Sequence, residues 1–321
     1  MQIDTPLPSA KGTLLLRRAD LLRDFLAVVA QGGIRAAATS VHLSQSALTR
    51  RIQELERELG VELFERHSHG MRLTRFGEVL RHHAQQVDLA CQYAVSELDD
   101  LRDGGAGELR LAAGPAWAYA LVPDAISTVQ SSFPKTRFLV SNRHNESTLP
   151  LLGDARIDLV LGSLPEQNRR DPAITYEPVL DIEHCVFARA SHPLHGHPGL
   201  HPRDLRKARW IWFAESVSTR ESFHAWYRRA RLAPPESAIE ITSVQAAIRL
   251  MQRADYVMVL PSTLEPVLAE HHLRRLAIGT PIGHYSAGMM YRQSVLRLRV
   301  FAELRRHLLA LAQEFSAQGR G

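Results

Sequence analysis

Residues 42–60 carry large apolar side chains at the spacing of an amphipathic α-helix. The apolar stripe consists of Leu48, Ile52, Leu55 and Leu59. The opposite side of this predicted helix carries hydroxyl, amide and guanidinium groups, on Ser46, Arg50, Gln53 and Arg57. Ser44 suits the N-cap position, and Gly60 stands where a helix ends. The pattern fits a solvated amphipathic helix as well as a helix that approaches a polar surface, so the neighbouring residues decide.

The neighbouring residues predict two further helices and a hairpin. A first helix is indicated by apolar residues at helical spacing, Leu22, Phe25, Leu26 and Val29, and it ends at Gly32-Gly33. Residues 34–41 predict a short second helix, which a tight turn at 42–43 joins to the helix described above. Two helices joined in this way form a helix-turn-helix. After Gly60, a turn at 68–70 and a strand at 71–73 predict a β-hairpin, the wing of a winged helix.

Residues 74–101 predict one long helix of about 42 Å, at 1.5 Å per residue. Apolar residues recur along it every seven positions, and a second series nearly fills the alternate seam: Leu80, Val87, Ala94 and Leu101, then His83, Ala90 and Leu98. This heptad pattern favours a coiled coil between two copies of the chain over a helix packed on its own domain. The sequence Asp-Gly-Gly-Ala-Gly at 103–107 ends the helix and predicts a hinge.

From residue 108 onward, strand and helix patterns alternate, which predicts a mostly parallel sheet with helices on both faces. The alternation restarts after residue 184, and a last strand and helix at 284–317 return to the first unit. We therefore expect an α/β chain with an N-terminal winged helix-turn-helix, a long linker helix and a two-lobed α/β domain. The predicted boundaries are a tail at 1–17, a DNA-binding domain at 18–75, a linker helix at 76–103 and the two-lobed domain at 107–318. Lobe I comprises about 107–181 and 282–318, lobe II about 182–281, with crossovers near 179–183 and 275–281.

Composition narrows the class of protein. Apolar residues make up 45% and charged residues 23% of the chain, as in ordinary globular proteins. No apolar run approaches the length of a membrane span, and residues 1–18 lack the pattern of an export signal, so we expect a cytoplasmic protein. The net charge of +5 suggests nucleic acid as a partner, but residues 1–103 hold 13 basic against 14 acidic residues. A DNA-binding surface there must be a local patch, supplied by Arg50, Arg51, Arg66, Arg72 and Arg75.

The first hundred residues resemble the LysR-type transcriptional regulators. The resemblance is carried by Ala36-Ala37-Ala38, LSQSALTRRIQELERELGVELFER at 43–66 and LTRFGE at 73–78. It implies contacts to DNA from the recognition helix and the wing, namely Ser44, Gln45, Ser46, Thr49, Arg50, Arg66 and Arg72. Two points depart from it: Ser46 stands where proline is commoner in the family, and the helical wheel puts Gln45 nearer the core.

The family's two-lobed domain is similar to a type 2 periplasmic binding protein and binds a small effector between its lobes. In open α/β sheets, ligands bind beyond the carboxyl ends of the strands, where several loops of this chain lie. The expected effector residues are Trp117, Tyr119, Glu146, Ser147, Gly162, Ser163, Ser218, Thr219, Arg220 and Ser243. Ser218, Thr219 and Arg220 precede a predicted helix and suit a carboxylate, which favours an organic or aromatic anion. A structural pairing of Arg220 with Glu221 or Glu215 fits the sequence as well.

Other functions fit the sequence less well. Four histidines between 192 and 201 suggest a metal site, although the His-Pro-Leu at 192–194 resembles a structural turn of the family. Cys91 and Cys185 fall in different domains, so we expect buried cysteines and no disulfide. Nucleophile, phosphate-loop and dinucleotide motifs are absent, and a transport protein has no use for a winged helix, so we expect neither an enzyme nor a transporter. We expect no cofactor, catalytic group or metal. The expected partners are promoter DNA, a small-molecule effector, RNA polymerase and copies of the same chain in a dimer of dimers, without a membrane.

Overall fold

The computed structural model describes residues 15, 17–67, 70–103, 107–142, 145–214 and 217–318. Within these ranges, the described part of the structure does not include the side chains of 66, 67, 70, 96, 97, 99–103, 145, 146, 217, 317 and 318. The chain divides into two compact units, Met1–Val95 and Ser96–Gly321, and each is described by itself. Among the described helices, none has the length and apolar character needed to cross a bilayer.

The N-terminal unit contains the predicted helix-turn-helix. Its three helices are α1 (Ala19–Gln31), α2 (Ile34–Ser40) and α3 (Gln45–Leu59). Helix α1 ends at Gly32, whose φ of 67° lies in the left-handed region, and α3 ends in the same way at Gly60. The Ser44 hydroxyl accepts a hydrogen bond from the Ala47 amide at 3.1 Å, so it is the N-cap that the sequence predicts. These end signals confirm the predicted extent of the recognition helix.

A two-stranded hairpin follows α3 and confirms the predicted wing. Strands β1 (Phe64–His67) and β2 (Gly70–Leu73) are antiparallel. Helix α4 (Arg75–Asp103) begins directly after them, and the Thr74 hydroxyl accepts a hydrogen bond from the Gly77 amide at 3.1 Å. Gly77 is required here because a Cβ atom at this position would lie 2.1 Å from the Leu63 carbonyl oxygen.

The apolar stripes of α1, α2 and α3 meet in one core. Its largest fully buried members include Leu21, Phe25, Leu48, Leu55 and Leu63. The Phe25 ring contacts the Phe64 ring with 5.3 Å between centroids, which attaches the base of the wing to α1. The helical periodicity of the sequence therefore translates directly into burial.

Helix α4 carries the exposed apolar face expected of a dimerising helix, but the seam differs from the predicted one. Leu80 is 9% exposed and belongs to the core of the N-terminal unit, so its assignment to the seam is wrong. The large apolar side chains that remain exposed on α4 are Phe76, Val79, Val87, Val95 and Leu98. In the first turns of α4, Leu80 packs on the core of its own domain, whereas Phe76 and Val79 remain exposed. A single heptad register does not distinguish these two sets of apolar positions.

The second unit is one mixed sheet flanked by helices. The first lobe contributes β3 (Glu108–Ala113), α5 (Pro115–Ala118), α6 (Val122–Ser132), β4 (Arg137–Asn142), α7 (Asn145–Gly153) and β5 (Leu159–Ser163). Strand β6 (Ile174–Arg189) then enters the second lobe, which adds β7 (Arg209–Phe213), α8 (Val217–Arg229), β8 (Ser237–Ile241), α9 (Val244–Arg253), β9 (Tyr256–Pro261), α10 (Glu265–Glu270) and β10 (Leu273–Arg275). Strand β11 (His284–Arg292) and helix α11 (Arg299–Gln318) return to the first lobe. Short 3-10 helices lie at 167–169, 193–196, 202–205, 262–264 and 293–297.

The order of strands explains how two lobes share one sheet. The order is β4-β3-β5-β11-β6-β9-β7-β8, with β10 paired to β6 on the side of the second lobe. Strands β3, β4 and β5 are parallel, as are β7, β8 and β9, whereas β6 and β11 run antiparallel to their neighbours. The predicted first crossover at 179–183 thus lies in the middle of one continuous strand, β6.

Candidate DNA-binding surface and effector cleft

The outward face of α3 is the candidate DNA-reading surface of the N-terminal unit. Gln45, Ser46 and Arg50 are exposed, and Thr49 is half-buried. The exposure of Gln45 agrees with the family pattern more closely than with its position on the helical wheel. The Thr49 hydroxyl donates to the Gln45 carbonyl oxygen at 2.8 Å, so it lies against its own helix. Small polar groups thus line the first half of this face, together with the guanidinium of Arg50, and Arg57 is exposed in the last turn of α3.

The acidic residues of α3 have partners within the N-terminal unit. Arg18 donates to Glu54 at 2.8 Å and to Glu58 at 3.4 Å. The Glu56 carboxylate accepts hydrogen bonds from the Leu63 and Phe64 amides, at 2.7 and 3.3 Å. These contacts turn Glu54, Glu56 and Glu58 toward the rest of the domain. Arg18 neutralises the charge of Glu54 and Glu58, and the Glu56 carboxylate is hydrogen-bonded to backbone amides at the base of the wing.

Arg51 does not belong to the expected basic patch. Its guanidinium forms an ion pair with Asp24, whose side chain is fully buried, and donates to Asp20 at 2.6 Å. Arg51 therefore ties the recognition helix to α1. The sequence could not separate it from Arg50 because adjacent positions on a helix differ by only about 100° in direction.

The wing carries the two remaining candidate arginines. Arg72 is exposed on β2 and pairs in register with Glu65 of β1. Arg66 lies on β1 opposite Met71, and its side chain falls outside the described part of the structure. Arg66 and Arg72 therefore lie on the two paired strands of the same hairpin.

Two aromatic candidates at the start of the first lobe are less accessible than expected. Trp117 lies in α5 with 1% of its surface exposed, and its indole N–H has no hydrogen-bond partner among the described residues. Tyr119 is half-buried and packs against an apolar cluster of the second lobe that includes Phe213 and Met251. A ring stacking on Trp117 from solvent is therefore excluded in this arrangement. Tyr119 instead bridges the lobes.

The residues expected to bind a carboxylate lie one turn further into a helix than predicted. Helix α8 begins at Val217, so Ser218, Thr219 and Arg220 form its first turn instead of a loop before it. The Arg220 guanidinium lies 3.4 Å from the Glu240 carboxylate of β8, and both side chains are well exposed. This is a structural pairing, although its partner is neither of the expected residues: Glu221 is not the carboxylate involved, and 215 lies outside the described residues.

The other candidates have separate local roles. Gly162 is buried and Ser163 half-buried at the end of β5, and Ser147 is exposed on α7. Glu146 also belongs to α7, but its side chain lies outside the described part. The Ser243 hydroxyl caps α9 by accepting from the Ala246 amide at 3.3 Å. Ser243 is therefore engaged in the fold.

His184 is a polar residue of the cleft region that sequence reasoning missed. It lies on β6, is 2% exposed, and its Nε2 is 3.3 Å from the Thr219 hydroxyl. Its ring stacks on Tyr285 of β11 with 4.8 Å between centroids. Burial, together with the charge of nearby His284, lowers the pKa of His184 to about 4, so it is neutral at pH 7. The only signal in the sequence is a histidine at the entry to an apolar strand, which is too weak to read alone.

The metal and redox alternatives gain no support. The His192 Nδ1 atom accepts a hydrogen bond from the Leu194 amide at 3.1 Å, the geometry of a structural turn. The described residues contain no group of three side chains suited to hold a metal ion. Burial raises the pKa of the Cys185 thiol to about 12, in agreement with a buried cysteine, but Cys91 is exposed and the expectation of burial is wrong for it.

Comparison with known proteins assigns the chain to a family. The model of the bacterial regulatory helix-turn-helix protein of the lysR family matches residues 19–78, and that of the LysR substrate binding domain matches residues 102–313. The HTH-type transcriptional regulator GbpR of Azospirillum brasilense is 29% identical over 261 residues, which cover 81% of this chain and 75% of the relative. The chain belongs to the LysR family of transcriptional regulators.

Solved structures agree with the fold. A full-length OxyR variant from Pseudomonas aeruginosa superimposes with a TM-score of 0.66 at 21% identity, over 90% of this chain and 94% of that one. CbnR in complex with its target DNA gives a TM-score of 0.61 at 20% identity, over 92% and 99%. The predicted family, fold class and function are confirmed: this is a DNA-binding transcriptional regulator of the LysR type with an effector-binding domain.

Proposed function

We propose that α3 reads base edges in the major groove of promoter DNA and that the wing contacts the backbone. Thr49 and Arg50 are assigned to the bases, with Ser44, Gln45 and Ser46 at the start of the helix. Arg66 and Arg72 are assigned to phosphates or to the minor groove. The observation that carries this proposal is the division of charge on α3: the glutamates and Arg51 are engaged within the domain, which leaves Arg50 on the outward face. Base contacts specify a sequence, whereas phosphate contacts strengthen binding to all sequences.

The experiment compares a fragment from the chain's own upstream promoter with a scrambled fragment. Arg50→Ala should weaken binding to the promoter by roughly 1–3 kcal/mol and lose most of the preference over the scrambled fragment. Arg72→Ala should weaken both about equally and reduce the dependence on salt. Arg57→Ala, an exposed position in the last turn of α3, is the matched control and should keep the preference. Equal losses on both fragments for Arg50→Ala would contradict the assignment.

We infer that α4 pairs two copies of the chain, and that contacts between effector domains complete a dimer of dimers. Phe76, Val79, Val87, Val95 and Leu98 are large apolar side chains that remain exposed on this helix. Single exposed apolar residues are common, but five along one helix indicate a surface that a partner covers. Two-fold pairing presents two recognition helices to an interrupted inverted repeat. RNA polymerase is the proposed further partner at the promoter, and the cytoplasm the proposed location.

We propose that the effector is a small organic anion that binds between the lobes near the start of α8. The amide groups of the first turn and the guanidinium of Arg220 favour negative charge there. The Arg220–Glu240 ion pair is exposed, and such a pair contributes at most about 1 kcal/mol, so a carboxylate from a ligand can replace Glu240 at small expense. We assign the hydroxyl groups of Ser147, Ser163, Ser218 and Thr219 to the same site. We propose that this site regulates and does not catalyse.

Calorimetry on the full-length protein tests this assignment with a panel of carboxylates and their neutral amide analogues. Carboxylates should bind and amides should not, and Arg220→Ala should weaken the carboxylate about tenfold, the value of one charge-assisted hydrogen bond. Arg228→Ala, at an exposed position in the last turn of the same helix, should have no effect. Equal binding of amides, or an unchanged affinity in Arg220→Ala, would contradict the role of Arg220.

A further inference from the structure

A cavity lies within the second lobe, at the C-terminal end of α8. Its volume is about 470 Å³, and small-molecule sites usually have volumes of about 300–1,000 Å³. Its described lining residues come from the segments 201–203 and 226–232 and from position 280, and none of them belongs to β6 or to the first turn of α8. Arg220 precedes Arg229 by nine residues on this helix, which is about 14 Å along the axis. The cavity is therefore separate from the proposed effector site.

The polar side chains that line the cavity can all donate hydrogen bonds. They are His201, Arg203, Arg229 and Thr280, and the described lining residues include no carboxylate. The ring of His201 accepts a hydrogen bond from the backbone amide of Asp204, so its other nitrogen carries the proton in the neutral state and can donate. The walls thus offer donors and positive charge to an occupant, which suits an anion.

The guanidinium of Arg229 is held in a fixed position at this cavity. Its Nη2 atom donates to the carbonyl oxygens of Pro281 and Ile282, at 3.1 and 2.8 Å. The N–H groups of its Nε and Nη1 atoms have no hydrogen-bond partner among the described residues. A side chain that is ordered before its ligand arrives loses less conformational entropy on binding. Arg229 is thus a preorganised cation with donors to spare.

The surroundings of the cavity are strongly basic. The segments 201–209 and 224–231 together contain seven Lys and Arg residues and one acidic residue, Asp204. The Asp204 carboxylate accepts a hydrogen bond from the His201 amide at 2.9 Å, and it lies 3.7 Å from the Arg203 guanidinium, which is too long for a hydrogen bond. The C-terminal end of α8 contributes about half a negative charge, which two guanidinium groups outweigh. The potential in the cavity therefore favours an anion.

The cavity also has an apolar wall, formed by Pro202, Trp226 and Leu232. The indole N–H of Trp226 donates to the Thr280 carbonyl oxygen at 2.8 Å, so this side chain brings no unsatisfied polar group to the wall. An inorganic anion would leave the apolar wall uncovered. A phosphate monoester matches both parts, because its three charged oxygens accept from several donors and its organic body covers apolar surface.

We propose that this cavity binds a small phosphate monoester, whose phosphate contacts His201, Arg203 and Arg229 and whose organic body packs on Pro202 and Leu232. The site goes beyond the proposed effector cleft and shares no residue with it. Arg229 also holds the backbone of residues 281 and 282, just before β11 returns the chain to the first lobe. An occupant is therefore linked to this crossover, and it provides a second input to the arrangement of the lobes.

The test uses three probes at pH 8, where a phosphate monoester carries about two negative charges: phenyl phosphate, phenol and inorganic phosphate. Calorimetry on the full-length protein should show saturable binding of phenyl phosphate and none of phenol at the same concentrations. Inorganic phosphate should bind at least about tenfold more weakly, because it buries no apolar surface. Arg203→Ala should weaken phenyl phosphate about tenfold. The Arg203 guanidinium makes no hydrogen bond among the described residues, so this variant should fold normally.

Arg229→Ala should weaken phenyl phosphate at least as much as Arg203→Ala, because it removes the preorganised cation. Fluorescence-detected unfolding verifies that the variant is folded. Arg228→Ala is the matched control, since this neighbour is exposed and does not line the cavity, and it should bind like wild type. Saturating phenyl phosphate should also slow hydrogen exchange in the segment 279–283.

The outcomes separate this cavity from the effector cleft. Arg220→Ala should leave the affinity for phenyl phosphate unchanged, and Arg203→Ala should leave the affinity for the carboxylate panel unchanged. Equal binding of phenol, equal affinity for inorganic phosphate, or full affinity for phenyl phosphate in either Arg203→Ala or Arg229→Ala would overturn the proposal. Unchanged exchange in 279–283 at saturation would overturn the link to the crossover. None of these results bears on the effector site, which the carboxylate panel tests by itself.

Discussion

The buried ion pair between α1 and the recognition helix allows a quantitative prediction for Asp24→Ala. The Asp24 side chain is fully buried, with one carboxylate oxygen on the Arg51 guanidinium and the other without a hydrogen-bond partner among the described residues. Breaking a buried pair by removing one partner typically destabilises a protein by about 3–5 kcal/mol. Arg51 is 28% exposed and keeps its contact with Asp20. We therefore expect Asp24→Ala to destabilise the domain by about 2 kcal/mol, which is less than this range. Asp20→Ala is the matched control: it removes the exposed partner of the same arginine and should change stability by less than about 1 kcal/mol.

Hydrogen exchange is the appropriate assay. Tryptophan fluorescence does not report on the N-terminal unit because every tryptophan lies beyond residue 107, at Trp117, Trp210, Trp212 and Trp226. Exchange of the protected amides of α1 and α3 reports the opening of this unit directly. A loss of about 2 kcal/mol accelerates exchange about 30-fold, and a loss of 1 kcal/mol about fivefold. If Asp24→Ala and Asp20→Ala accelerate exchange equally, the ion pair does not hold the recognition helix as described.

Three further predictions concern other parts of the chain. Gly77→Ala should destabilise the N-terminal unit by about 1–3 kcal/mol in the same exchange assay, because the new Cβ meets the Leu63 carbonyl; Gly33→Ala, where the space is open, should have little effect. Burial lowers the pKa of His184 from 6.5 to about 4, so its contribution to stability is complete above pH 6.5 and is lost as the pH falls toward 4. Fluorescence-detected unfolding should therefore show about 3 kcal/mol less acid destabilisation in His184→Gln than in wild type, and equal pH profiles would contradict this. Val87→Glu should reduce the mass measured by light scattering, and an unchanged mass would exclude Val87 from the interface.

Helices and strands of this fold could be predicted from the sequence wherever an element buries a single apolar face. Leu48, Ile52 and Leu55 form a stripe that packs on one core, and their spacing fits no other element. Leu80 failed because α4 contacts its own domain and exposes a second apolar face, and a heptad count merges the two. Likewise, β6 crosses between the lobes without a break, and strand patterns alone do not reveal which lobe covers each part.

The sequence predicted which loops and helix faces form the candidate sites. It did not predict the role of each side chain in them. Arg50 and Arg51 are adjacent and chemically identical in sequence, and only the packing of α1 against α3 assigns Arg51 to Asp24. Glu240 is 20 residues from Arg220, so its pairing depends on how α8 lies against β8 in the folded domain. His184 acquires significance through its burial with one ring nitrogen lacking a hydrogen-bond partner among the described residues, which tertiary structure alone determines.

The central claim is that α3 reads a specific operator and that a ligand between the lobes alters that reading. Nuclease footprinting of wild-type protein on its own upstream promoter, with and without the best-binding carboxylate, tests both parts in one measurement. We predict protection of an interrupted inverted repeat, and a change in the length or spacing of the protected region when the carboxylate is present. Uniform, non-specific protection of the fragment, or a footprint that no bound carboxylate alters, would contradict the account.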